Sequence, residues 1–163
     1  MMRSRSLVTA LLLAVSAYAQ VAENKWNKAS YVSIQPTPAV TLTKVKAAKA
    51  SVHFRVNQGF HVNANKPSSD LLIPTEIKFE ANPAIVVGKI AYPAGEELAL
   101  SFSPQQKLSV YQGDVAVAVP LSASKTAKRG AYTLKGSLSY QACNDSACFP
   151  PKTVPFELTV TIN

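Results

Sequence analysis

A chain of 163 residues with 17 Lys and Arg against 9 Asp and Glu carries a formal net charge of +8. That length suits a single domain with a real core. The lysines, Lys44 and Lys152 among them, are scattered with no dense basic run, so the charge suggests a solubilising surface or an acidic protein partner and no nucleic acid.

The first residues read as an export signal. Arg3 and Arg5 give a positive start, Leu7 to Val15 a short apolar core, and Ala17-Tyr18-Ala19 a small-x-small cleavage pattern. The apolar run falls short of the about 20 residues that a membrane span needs. Cleavage after Ala19 is therefore expected, releasing a soluble periplasmic or secreted chain with no stable membrane insertion. The predicted organisation is a cleaved signal peptide over 1–19, an N-terminal arm over 20–38 and one β-domain over 39–163. The arm is polar and irregular, with Trp26 or Tyr31 as its pin.

From there the dominant period is two. Val52, Phe54 and Val56 alternate with Ser51, His53, Arg55 and Asn57, which predicts a half-buried strand with His53 in solvent. Gln58-Gly59 signals a turn, and Phe60 to Ala64 a further strand. Leu71 to Phe79 reads as strand-like, with Pro74 making part of it an edge or bend. Ile85 to Ile90 is a short apolar run; Leu98, Leu100 and Phe102 alternate, as do Val115, Val117 and Val119. Leu134, Leu138 and Tyr140 lead straight into Cys143, and Phe156, Leu158, Val160 and Ile162 form the clearest amphipathic strand. No helical stripe follows the signal. About eight short strands with Gly, Pro and Asn turns predict an all-β protein, an immunoglobulin-like β-sandwich.

The chemistry-bearing run is Tyr140-Gln-Ala-Cys143-Asn-Asp-Ser-Ala-Cys148-Phe-Pro-Pro151, which holds the only two cysteines, with four residues between them. Strand pattern places both at a hairpin tip, and Pro150-Pro151 stiffens the exit. In an oxidising compartment the two are expected to pair. Spacing alone leaves two readings. The disulfide is either a structural clip on a non-catalytic binding module, stabilising by about 2 kcal/mol through a six-residue loop, or a redox pair. Asp145 inside the loop disfavours a thiolate, so a redox pair here suits attack by a partner's more acidic thiol. Two histidines, and two methionines at the very start of the chain, are too few for a copper or zinc centre, so no metal and no cofactor are expected.

This run resembles the signature of the N-terminal periplasmic domain of the DsbD thiol:disulfide interchange proteins. Gly59-Phe-His-Val-Asn-Ala-Asn-Lys-Pro67 with Leu72-Ile-Pro-Thr75, and Val110-Tyr-Gln-Gly-Asp-Val115, support the resemblance, which covers roughly Val40 to Asn163. It implies an immunoglobulin-like sandwich, here as a stand-alone domain, that accepts electrons from a thioredoxin-like donor. It further implies transfer to periplasmic oxidoreductases, including disulfide isomerases and cytochrome c maturation proteins, through transient mixed disulfides. Such activity depends on partner proteins, and a monomer is expected. By resemblance Cys148 forms the mixed disulfide and Cys143 resolves it. A cap loop would fall in Ala94 to Phe102, with Leu98 or Phe102 as the lid. Residues expected to flank the pair are Phe60, His61, Asn63, Leu98, Phe102, Tyr140, Asp145, Phe149 and Pro150. His61 and Asn63 alternate on one strand and so face the same way, and a titrating His61 would tune the thiols.

Overall fold

Period-two alternation carries through to the folded chain. In the computed structural model, which describes residues 30–100 and 103–163, Val52, Phe54 and Val56 are buried while Ser51, His53, Arg55 and Asn57 are exposed. The expected signal peptide, Trp26 and Phe102 lie outside the described residues.

The strands in chain order are β1 (Val32–Ile34), β2 (Val40–Leu42), β3 (Ala48–Val56), β4 (His61–Asn63), β5 (Glu76–Phe79) and β6 (Ile85–Val87). They continue as β7 (Glu96–Leu100), β8 (Ser103–Tyr111), β9 (Asp114–Ala123), β10 (Gly130–Tyr140), β11 (Ala142–Cys143) and β12 (Lys152–Ile162). These form three four-stranded sheets, ordered β1-β3-β9-β6, β2-β12-β10-β5 and β11-β4-β8-β7. Pairing is antiparallel except for β2 against β12. The inner faces of the first two sheets meet in one cluster, in which Val52, Phe54, Val117 and Val119 oppose Leu134, Leu138, Leu158 and Val160. Each such side chain contributes about 1.5–3 kcal/mol on burial. The protein is an all-β immunoglobulin-like sandwich.

Several sequence expectations change in detail. Ser30 to Pro38, read as irregular, contains β1, which pairs with β3 from Val32↔Val56 to Ile34↔Phe54. Tyr31 is buried and does act as a pin. Of the Leu71–Phe79 segment only Glu76–Phe79 is strand. Leu71 is 93% exposed, and the chain bends through Pro74 before Thr75 is buried. The described residues form twelve strands where about eight were expected, because several carry only two or three residues and leave little periodicity to read. Two turns need left-handed glycine: Gly59 (φ 81°) before β4 and Gly113 (φ 57°) between β8 and β9.

The third sheet positions the cysteines. One of its faces joins the main core through Val62, Tyr111 and Ala142. The registers Cys143↔His61, Asn63↔Val110 and Leu98↔Leu108 place the partners of each pair on one face, since directly opposite residues point the same way. Alternation along β4 and β8 joins these pairs into the sheet's second face. There Leu108 and Val110 pack with Leu72 and Leu98 in a separate small cluster.

Gly136 sits at the centre of the row Phe79–Gly136–Phe156, where the two phenyl rings meet edge to face at 5.6 Å. A Cβ at Gly136 would approach Phe156 Cζ to 2.7 Å and Phe79 Cε1 to 2.9 Å. Gly136→Ala is expected to lower stability by about 1–3 kcal/mol in urea unfolding, as overpacking does. A loss below about 0.5 kcal/mol, the range of a neutral surface change, would refute this account of the glycine.

Candidate functional site at the cysteine pair

The incoming strand of the hairpin does not run unbroken into the cysteines. The β10–β12 ladder ends at Tyr140↔Lys152, Gln141 interrupts it, and Ala142–Cys143 crosses to pair with β4. Gln141 holds the break. Its Nε2 donates to Phe149 O at 3.2 Å, and its Oε1 accepts from Asn63 Nδ2 at 3.4 Å. Asn63, fully buried, also donates to Ile73 O at 3.0 Å, and Thr75 Oγ1 donates to Asn63 O at 2.6 Å. The loop before β5 is thus tied to the strand beside the cysteines.

Cys143 and Cys148 form a disulfide with their Cα atoms 4.0 Å apart. Between them the chain makes a tight turn. Asn144 N donates to Ala147 O at 2.9 Å, and Asn144 Oδ1 accepts from Ser146 N and Ala147 N, each at 2.9 Å. Asparagine suits this place because its short side chain can satisfy backbone donors two and three residues on. Phe149 N closes the loop on Ala142 O at 2.8 Å. The two sulfur-bearing residues differ sharply in access: Cys143 is fully buried (0% exposed), while Cys148 is exposed beside exposed Asp145.

Below the loop lies an aromatic platform. Phe149 stacks on Tyr31 with centroids 4.8 Å apart at 22°, Phe60 lies 4.8 Å from Tyr31, and Lys152 Nζ sits 5.0 Å from the Tyr31 ring centroid. The platform joins the first described residues, the β4 approach and the cysteine loop. Aromatic pairs of this kind contribute about 0.5–1.5 kcal/mol beyond their buried area.

Of the residues read from sequence, the fold brings Phe60, His61, Asn63, Asp145 and Phe149 around the pair. Pro150 is exposed on the exit. Tyr140 is buried in the sandwich core, so its ring is a packing element. Leu98 shares the sheet face of Cys143 but lies three strands away, about 14 Å at normal strand spacing. It packs on Leu72, Leu108 and Val110, and the fold does not bring it onto the disulfide. The structural role of Gln141 escaped the sequence reading, although a polar side chain between a strand residue and the motif was its visible signal. A cleft of about 650 Å³ lined by Lys66, Lys89, Tyr92 and Tyr111 lies elsewhere, and neither cysteine lines it. Among the described residues no group of three or more His, Cys, Asp or Glu could hold a metal.

The chain's residues 30–160 match the family described as the thiol:disulfide interchange protein DsbD, N-terminal. The chain belongs to this family. The DsbD N-terminal domain of Neisseria meningitidis in its reduced form is 23% identical, covering 69% of this chain and 77% of its own, with TM-score 0.46. The N-terminal periplasmic domain of ScsB from Proteus mirabilis is 12% identical, covering 82% of this chain and 47% of its own, with TM-score 0.51. A search of curated proteins returns no match. Membership in the DsbD N-terminal family and a bonded cysteine pair together support thiol:disulfide exchange.

His61 lies opposite Cys143 and is 3% exposed. Burial lowers its pKa from the ordinary 6.5, and the Asp145 carboxylate pulls weakly the other way. The folded chain therefore binds this proton less readily than the unfolded chain. Its contribution to stability is complete above about pH 6.5 and is lost as pH falls through the folded value. His61→Phe is expected to flatten the decline in urea midpoint between pH 7 and the carboxylate range. Parallel curves for the two proteins over that interval would rule this out.

Proposed function

We propose that this domain is a periplasmic carrier of reducing equivalents that exchanges through Cys148 and stores the second electron-pair partner at Cys143. The observation that carries the reading is the unequal access of the two cysteines at an open surface. Cys148 is open to a partner's sulfur from solvent, whereas Cys143 is covered.

In the reductive half, a thiolate of a thioredoxin-like donor attacks Cys148 Sγ, and the Cys143 sulfur leaves with the bonding electron pair and gains a proton. The donor's second thiolate then attacks its own sulfur in the mixed disulfide and frees Cys148. Two electrons and two protons enter the domain, and the donor departs as its disulfide. In the oxidative half, the Cys148 thiolate attacks the disulfide of a periplasmic oxidoreductase, such as a disulfide isomerase or a cytochrome c maturation protein. Cys143 attacks Cys148 Sγ and releases that acceptor as a dithiol. The exposed Asp145 carboxylate keeps Cys148 a weak autonomous nucleophile, so that exchange depends on docking. In this reading the export signal delivers a monomer that carries no cofactor.

Cys143→Ser is expected to accumulate a mixed disulfide with a thioredoxin-like partner through Cys148, and Cys148→Ser to accumulate none. The reduction potential of the pair, from thiol trapping in graded redox buffers, should lie above about −300 mV, among labile disulfides. A potential well below that, with no partner trapped, would make the disulfide a structural clip on a binding module.

A further inference from the structure

We propose that His61 is the proton partner of Cys143, its Nε2 exchanging a proton with the Cys143 sulfur whenever the disulfide opens or closes. This rests on the exchange reading above and assigns a group to its most demanding step. Cys143 is wholly buried, so water is not at hand to solvate a departing thiolate or to accept a proton from the resolving thiol.

The fold places one suitable group there. His61 and Cys143 are direct cross-strand partners on one face of the sheet, with Cβ atoms about 5 Å apart in such a pair. His61 Nε2 is buried and has no hydrogen-bond partner. An orphaned buried polar atom is costly, and this one belongs to the register partner of a cysteine whose sulfur has no proton and no charge while it is bonded to Cys148. Cleavage turns that sulfur into a donor or a strong acceptor. Neighbouring polar groups are otherwise engaged: Asn63 Nδ2 serves Ile73 O and Gln141 Oε1, and Gln141 Nε2 serves Phe149 O. Asn63 Oδ1, also unpartnered, is an acceptor that cannot stabilise a thiolate.

The groups that bear on the imidazole electrostatically are few. From β11 comes Cys143 itself, and from the turn comes Asp145. On β8, Tyr111 pairs with Val62 and so faces the core, while Val110 on the His61 side is apolar. Burial keeps the ring neutral near pH 7, and in the tautomer with its proton on Nδ1 the ring offers a lone pair at Nε2. In the resolving step the Cys143 thiol passes its proton to Nε2 as its sulfur bonds to Cys148 Sγ, and the acceptor leaves with the electron pair of the broken bond. The imidazolium then loses the proton to solvent. In the reductive step the same path runs backwards, and Nε2–H delivers the proton to the departing Cys143 sulfur.

The test uses the reduced protein with Ellman's reagent, which supplies both the oxidant and the chromophore. One equivalent of thionitrobenzoate appears as Cys148 attacks the reagent, and a second as Cys143 resolves the mixed disulfide. His61→Phe is expected to slow the second phase about tenfold at pH 7, with the first phase as internal reference. The gap should narrow as pH rises beyond the ordinary thiol range, where hydroxide competes with the histidine for the Cys143 proton. His61→Gln, polar but unable to take a proton, should show the same slow phase and serves if the phenylalanine variant is misfolded. Second phases that match wild type from pH 6 to 9 in the folded variant would overturn the role of His61. That result would leave partner trapping by Cys143→Ser intact, whereas failed trapping beside a His61-dependent second phase would refute the carrier function alone.

Discussion

Gln141 lies where the chain leaves one sheet and enters another, and the geometry of the cysteine pair depends on that crossing. Had β10 continued in register with β12, the cysteines would sit at the free end of a long hairpin, open on all sides. Instead Ala142–Cys143 pairs with β4, which buries one cysteine against His61 and leaves the other on the return turn. The crossing frees backbone groups that must find partners. Gln141 and Asn63 satisfy several of them, linking Phe149 O, Ile73 O and each other. A buried and a half-buried amide thus do what a continuous ladder would otherwise do, at the place where the ladder has to stop.

The exit from the turn is fixed by packing. Phe149 is held between Tyr31 and Phe60, and its N–H closes on Ala142 O. Pro150 and Pro151 follow with no N–H to donate, and β12 begins at Lys152, whose ammonium lies over the Tyr31 ring. Tyr31 therefore couples the first described residues to the cysteine loop, and removing its ring would loosen the exit without touching either sulfur.

What was legible in the sequence follows the same division between pattern and contact. Long strands with one buried face announce themselves: β3, β9, β10 and β12 were readable from Val52–Val56, Val115–Val119, Leu134–Tyr140 and Phe156–Ile162. So was the disulfide, from two cysteines in a chain expected to be exported. The crossing was not, because Ala142–Cys143 is two residues long and its partner β4 is buried on both faces, which leaves no alternation to read. The bend at Leu71 to Thr75 was masked for a related reason. An apolar run looks like strand until its contacts show that Leu72 packs on a separate small cluster while Leu71 points into solvent. Resemblance led to an expected lid in Ala94 to Phe102, whereas Leu98 packs in that small cluster, three strands from Cys143.

The proposed exchange requires one fold in both redox states, and the placement of the disulfide meets that demand. The bond closes a loop of six residues, so its loss frees only about 2 kcal/mol of chain entropy in the unfolded state. The main hydrophobic cluster draws on β3, β9, β10 and β12 and reaches the cysteine region through residues such as Val62, Ala142, Tyr140, Tyr31 and Phe149. Opening the bond leaves those contacts and the Asn144 turn in place, since none of them passes through sulfur. The sandwich supplies stability, and the crossing at Gln141 decides which sulfur meets the solvent. The disulfide is left free to be made and broken.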